Sequence, residues 1–402
     1  MPEAVIVATA RSPIGRAFKG SMTDLRPDDL TATIISAAMA KVPQLAPDDI
    51  DDLHLGCGLP GGEQGFNMAR VVATLLGWDE VPGTTLTRYC ASSLQTTRMA
   101  FHAIKAGEGD VFVSAGVEMV SRYVKGNSDS LPDTLNPRFD DAQARTKQAA
   151  EQGADSWSPG DGLADIYIPM GQTAENLALY KGVSREAMDD FAYASQTRYA
   201  TAEQDGFWAR EITPIELPDG TTMDRDESPR PADRDKMGEL KPVFRPDGRV
   251  TAGNACPLND GAAAVIVMSD TKAAELGIEP LARIVSTGVS ALDPEIMGYG
   301  PVAASEQALA RAGMAIGDID LVEINEAFAA QVIPSADDLG IDHERLNPHG
   351  GAIAVGHPFG MTGARITGTL LNGLGYRDGT FGLETMCVGG GQGMAMIVER
   401  LR

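Results

Sequence analysis

A chain of 402 residues is longer than a single hydrophobic core normally organises and points to two or three domains. Its formal net charge of −23 argues against a nucleic-acid partner, which needs a basic face. Its 43% hydrophobic and 22% charged residues fit a soluble globular enzyme. No stretch approaches the roughly 20 apolar residues of a membrane span. The start, MPEAVIVATARSP, lacks the basic and apolar regions of a secretory signal, so a cytoplasmic location is expected. Cys57, Cys90, Cys256 and Cys387 lie far apart, which speaks against a disulfide framework. Neither C-x-x-C nor H-x-x-x-H spacing occurs, and no metal site is expected.

In chain order, AVIVATARSP reads as a buried strand ending in a turn. A helix is expected from about Asp28 to Lys41, with Asp28 and Asp29 at its positive end. DDLHLGCG reads as a short strand and NMARVVATLLGW as a helix with one apolar face. TTLTRYC is a strand leading into the helix SSLQTTRMAFHAIKAG, and DVFVSAGVEM is the next strand. This β-α-β-α-β order implies an α/β fold with a largely enclosed sheet. Residues 121 to about 250 are rich in Pro, Gly and charge and read as an insertion made mostly of long loops. Its one strongly helical region, TAENLALYKGVSREAMDDFAYASQTRYATAEQ, is expected to break near Gly182. NDGAAAVIVMSD reads as a strand preceded by a helix start of small residues. LARIVSTGVSA is a strand and PVAASEQALARAG a helix, and DIDLVEINEAFAAQVIPSADDLG is a strand running into a helix. TGARITGTLLNGL is a helix, and TFGLETMCVGGGQGMAMIVERL is two strands around a glycine turn.

The two halves share a pattern. A loop holding Cys90 opens a helix that ends at Gly107–Gly109 before a strand. A loop holding His357 opens one that ends near Gly373–Gly375 before another. This suggests a duplicated α/β unit in which the two reactive residues meet near a pseudo-twofold axis.

Cys90, in RYCASSLQ, sits where a strand gives way to a helix. Unpaired N–H groups there favour a thiolate, and its own amide can face an oxyanion. A buried structural cysteine is the plainer alternative. His357, in GGAIAVGHPFGMTGAR, is surrounded by glycines and held extended by Pro358. It is either a base toward a thiol or a turn histidine. Cys387, in MCVGGGQG, is a candidate acid/base beside glycine amides, that of Gly389 in particular, or a small buried filler. Asn325, in EINEAFAAQ, either caps a helix or holds a water or a carbonyl oxygen. GGGQG and GGEQG lack the lysine and the spacing of phosphate loops.

Together RYCASSLQ, NEAFAAQ, GGAIAVGHPFGMTGAR and CVGGGQG, in this order, resemble the motifs of the thiolase family, with further likeness in ATARSPIGR, GVEMVSR, PMGQTAENLA and TAGNACPLNDGAAAV. The resemblance covers nearly the whole chain. It implies the thiolase fold: duplicated βαβαβαββ halves in a five-layered α-β-α-β-α arrangement with an inserted loop domain. On this reading residues 1–120 with about 251–274 form the N-terminal half, 121–250 the loop domain with the coenzyme A site and oligomer contacts, and 275–402 the C-terminal half. The resemblance also implies a homodimer or homotetramer. It matches Cys90 to the acylated nucleophile, His357 to its activator, and Cys387 to the acid/base at the α-carbon of acetyl-CoA. Asn325 matches the holder of an oxyanion-hole water, and Gly389 an oxyanion amide. Arg230, Met170 and Phe244 fall where relatives contact CoA, and Cys256 stands where many members have a pantetheine-contacting serine.

The implied activity is thiolytic cleavage of 3-ketoacyl-CoA in fatty acid β-oxidation, with CoA as substrate and no tightly bound cofactor. Pro169 before Met170 favours this degradative branch over a biosynthetic acetoacetyl-CoA thiolase, whose members often carry histidine there. A non-catalytic CoA- or lipid-binding protein is the third reading. It predicts loss of Cys90, His357 or Cys387, and all three are present.

Overall fold

The structure is a computed structural model that describes residues 2–125 and 133–402. The chain opens with β1 (Ala4–Arg11), α1 (Pro27–Met39), β2 (Asp52–Cys57), α2 (Met68–Leu75), β3 (Gly83–Leu86), α3 (Ser92–Ala106) and β4 (Val111–Met119). The connection 120–258 carries α4 (Asp140–Gln152), α5 (Met170–Lys181) and α6 (Arg185–Gln204) before β5 (Asn259–Ser269) returns to the sheet. The second half contains β6 (Ala282–Ala291), α7 (Gly300–Ala312), β7 (Leu321–Ile324), α8 (Ala329–Leu339), α9 (Thr362–Arg377), β8 (Phe381–Val388) and β9 (Gln392–Arg400).

The sheet runs β7-β8-β9-β6-β1-β5-β4-β2-β3, and this order exposes the duplication. In the first half β3 and β4 flank β2 in parallel, while β5 is antiparallel to both β4 and β1. In the second half β8 is parallel to β7, and β9 is antiparallel to both β8 and β6. Leu346 makes an isolated parallel bridge to Val322 of β7, where β3 lies against β2 in the first half. Within the sheet, among the described residues, the halves pair at Val5↔Arg283 and Ile6↔Ala282. A turn of three glycines links β8 to β9, whereas residues 120–258 link their counterparts β4 and β5. The long connection therefore occupies the place of a tight turn.

Alternation along the strands divides the core. In β5, Ala262, Ala264, Ile266 and Met268 face one cluster, with Leu30 and Ile34 of α1 and Met68 and Val72 of α2. Ala263, Val265 and Val267 face the opposite one, with Leu94 and Ile104 of α3 and Ile366 and Leu370 of α9. In β9, Met394, Met396 and Val398 turn toward that central layer, and Ala395 and Ile397 turn toward α7 and α8. The result is five layers, with α3 and α9 as the filling between the two halves of the sheet. These helices touch backbone to backbone: a Cβ on Gly363 would lie 2.3 Å from Leu94 N, while one on Gly375 would meet nothing within 4 Å. Gly363→Ala is expected to cost about 1–3 kcal/mol by overpacking. Gly375→Ala on the same helix is expected to stabilise by about 0.5–1 kcal/mol. Urea titration of both variants checks the pair.

Some sequence expectations need correction. Helix α4 lies in a stretch read as loops; Ala142 is its sole buried residue, so it carries almost no apolar stripe. No helix precedes β5: Asn254 Oδ1 accepts from Thr251 N, and Cys256 N donates to Ala327 O, which spends these backbone groups on a turn and a cross-link. Helix α9 runs past Gly375 to Arg377 and ends at Asp378 with φ 53°. The expected strand TTLTRYC ends at Leu86. The break near Gly182 is present, with that residue in the left-handed region at φ 68°. Among the described residues no helix is long and apolar enough to cross a membrane.

Candidate active site

Cys90 lies in a short 3-10 turn, Tyr89–Ala91, that runs directly into α3. Tyr89 adopts φ 42°, a left-handed conformation that turns the chain sharply and presents the next residue. The thiol is 7% exposed. The N–H groups of Cys90 itself and of Gly389, in the β8–β9 turn, point at its sulfur. Burial pushes the thiol up to about 12, the Glu118 carboxylate adds to the rise, and the two N–H groups oppose it.

His357 is buried in the loop before α9. Its N–H donates to Asn259 Oδ1 at 3.0 Å, which anchors the loop to β5. Thr362 Oγ1 donates to the Pro358 carbonyl at 2.9 Å and lies 2.6 Å from His357 Nδ1. A hydroxyl has one proton, so toward the imidazole it is an acceptor and Nδ1 carries the hydrogen. Nε2 then presents its lone pair, which accepts from Asn325 Nδ2 at 3.2 Å. Burial pushes the imidazole down to about 3, and the buried Arg365 adds to that. Asn325 Oδ1 is buried and has no hydrogen-bond partner among the described residues, an acceptor open to a water or a ligand.

Cys387, at the end of β8, is fully buried, and burial followed by the neighbouring Cys90 and Cys256 raises it well above the ordinary thiol range. It packs with Met297 and Ala327, against which Met170, Cys256 and Phe328 also lie. Burial, then Cys90, likewise raises the Cys256 thiol. A cavity of about 410 Å³ opens above Cys90 and Gly389, walled by Leu59, Tyr167, Met170 and Phe359 among others. None of its described lining residues is charged. Phe244 stands next to this region, edge-on to Phe328 at 6.3 Å between ring centres and pressed against Gly171.

Arg230 is not on the cavity. Its side chain donates to Ala252 O at 2.9 Å, and its N–H donates to Gln196 Oε1. The structure thus brings Cys90, Gly389, Met170, His357, Asn325, Cys387 and Cys256 to one locality and leaves Arg230 outside the cavity wall.

This arrangement of a thiol under two amides, an Nδ1-protonated histidine and a second buried thiol spans both halves of the chain, and so do the family matches. Residues 4–271 match the thiolase N-terminal domain and residues 278–400 the thiolase C-terminal domain. The chain belongs to the thiolase family. It is 43% identical to a 3-ketoacyl-CoA thiolase of Saccharophagus degradans, over 99% of this chain and 98% of that one. It is 40% identical to a β-ketoadipyl-CoA thiolase of Acinetobacter baylyi over the whole of both. Among solved structures it resembles human mitochondrial 3-ketoacyl-CoA thiolase in complex with CoA. That likeness has 34% identity and a TM-score of 0.85, over 100% of this chain and 98% of that one.

Sequence reasoning missed three polar residues that hold this thiolase site together: Thr362, Asn259 and Glu118. Glu118 did leave a trace, a lone charge in the otherwise apolar strand VFVSAGVEM. Asn259 left none, because its partner His357 N lies 98 residues away, whereas Thr362 bonds within its own turn, to Pro358 and His357.

Proposed function

We propose that the chain cleaves 3-ketoacyl-CoA with CoA, through an acyl-Cys90 intermediate, to acetyl-CoA and a shortened acyl-CoA. The observation that carries this reading is the Cys90 sulfur beneath the Gly389 and Cys90 amides at the floor of an apolar cavity. Cys90 attacks the 3-keto carbon and passes its proton to His357 Nε2. The C2–C3 bond breaks, and the acetyl-CoA enolate takes a proton from Cys387 while a water on Asn325 and the imidazolium stabilise its oxygen. CoA thiol then returns a proton to Cys387 and attacks the thioester, whose oxyanion faces the two amides. Cys90 leaves with the proton held by His357. CoA is a substrate here, and no tightly bound cofactor is needed. Met170, Phe244 and Cys256 are proposed to flank the pantetheine arm. Arg230, exposed and with one guanidinium N–H on Ala252 O, keeps further donors for a CoA phosphate.

The cavity falls within the roughly 300–1,000 Å³ of small-molecule sites, which favours an acyl group longer than acetyl. Thiolysis of 3-ketoacyl-CoA substrates of four to sixteen carbons, by wild type and Cys90→Ala in parallel, tests the reading. Cleavage of the longer substrates by the wild type alone supports it. Activity confined to acetoacetyl-CoA indicates the biosynthetic branch, and CoA binding without turnover indicates a non-catalytic protein.

The loop-domain boundaries expected from sequence, 121–250, fit the β4–β5 connection. A cytoplasmic homo-oligomer completes the proposal. Strand β3 pairs with β2 on one side only, and the nearby Phe66 is 96% exposed, the kind of edge a second copy covers. Sedimentation is expected to give a dimer or tetramer, and a monomer at micromolar concentration overturns that part.

A further inference from the structure

Glu118 ends strand β4 without any exposed surface. Its Oε2 accepts from Gly58 N at 2.7 Å and Gly360 N at 2.8 Å. Its Oε1 accepts from Tyr123 Oη at 2.8 Å, Gln64 Nε2 at 3.1 Å and Leu59 N at 3.2 Å, with the Cys57 thiol at 3.7 Å. Each of these partners can donate to the carboxylate, so the shell favours the anion, against the burial that raises the carboxyl above its ordinary range. Close approach is built in. A Cβ on Gly58 would lie 2.5 Å from Glu118 Oε2, and one on Gly360 would lie 2.2 Å from Val117 O.

An anion here works against the nucleophile, since its charge disfavours a thiolate at Cys90. Its benefit lies in what the donors carry. Leu59 and Phe359 both line the cavity over Cys90, and Gly360 follows His357 by three residues. One side chain thus ties the loop after β2 to the loop of His357.

We infer that Glu118 is a positioning residue of the thiolase reaction, a buried anion that locks residues 57–59 against residues 357–360 and so fixes both the acyl pocket and the histidine. This rests on the acyl-Cys90 reading of the site. Cys57, Tyr123 and Cys90 are the titratable groups around Glu118, and Cys256 and Cys387 are those around Cys90.

Glu118→Gln keeps the shape, removes the charge and sets an amide donor against the surrounding donors. Two readouts follow in the full chain: kcat and KM with four- and eight-carbon 3-ketoacyl-CoA, and the pH dependence of Cys90 alkylation by iodoacetamide. Alkylation needs no substrate, so it separates this inference from the proposed function. The expected result is a loss of roughly tenfold or more in kcat/KM, with KM rising more for the eight-carbon substrate. The alkaline limb of alkylation is expected to move to lower pH, because a charge that opposed the thiolate is gone. Unchanged kcat/KM overturns the inference, and so does a loss with the limb unmoved or moved upward. Should Glu118→Gln fail to fold, Tyr123→Phe removes one donor and leaves the charge. Glu118 then protonates more readily, and activity is expected to fail at a higher pH on the acid side; an unshifted acid limb overturns the inference.

Discussion

Cys90→Ala is expected to lower thiolytic turnover on the order of 10⁴–10⁶-fold, the cost of losing a covalent nucleophile whose partners act as a unit. No other described thiol can replace it. Cys387 is buried among Met297 and Ala327, Cys256 packs against the same residues, and the Cys57 thiol faces Glu118 Oε1, whereas the Gly389 amide faces the Cys90 sulfur. Removing the thiol in the 3-10 turn before α3 leaves the backbone amides in place, so binding of CoA should be retained. Single-turnover acylation with radiolabelled substrate distinguishes the cases: no label on the variant supports the assignment. Label at wild-type level, or a loss of folded protein by circular dichroism, counts against it.

His357→Asn is the second large effect, with an expected loss of roughly 10²–10⁴-fold, the usual contribution of a positioned general base. It also carries a pH signature. With the thiol pushed up to about 12 and the imidazole down to about 3, the resting pair between those limits is neutral thiol and neutral imidazole. Proton transfer between them exchanges nothing with solvent, so the acylation rate of the wild type is expected to stay nearly level from pH 6 to 9. In the variant the base is gone and the rate must follow the thiolate, rising about tenfold per pH unit below the thiol value. Rapid-quench acylation across that range reads both slopes. A wild-type rate that climbs as steeply as the variant's removes His357 from the proton's path.

The two effects share a structural cause. Cys90 is delivered by the start of α3 and His357 by the loop before α9. These are matching positions of the duplicated halves, and Ala364 N donates to Ser93 Oγ at 2.9 Å where the two helices meet. The glycine at 363 permits that contact.

Much of this was legible in the chain itself, wherever the signal is local. A cysteine before a helix, a histidine set between glycines and a proline, and a glycine turn between two strands each specify their own backbone conformation. The order of those segments carried the family and the layered fold. The break at Gly182 was equally readable, because a left-handed φ belongs to a few adjacent residues. Helix α4 was not readable as such, since a helix that buries little more than Ala142 has no apolar face to give it period.

What the tertiary structure alone decided are the properties that depend on distant residues meeting. The pairing of His357 Nε2 with Asn325 Nδ2 joins residues 32 apart in the chain. The neutral resting pair follows from burial, which no residue carries in its own letter. Arg230, which the family pattern placed at CoA, turns its guanidinium to the Ala252 carbonyl. Glu118 gathers donors from residues 57–64, 123 and 360, three stretches that nothing in their sequence order connects. The reason is the same throughout: backbone preference is set within a few residues, whereas desolvation and hydrogen-bond partnership are set by whichever segments the packed layers bring together.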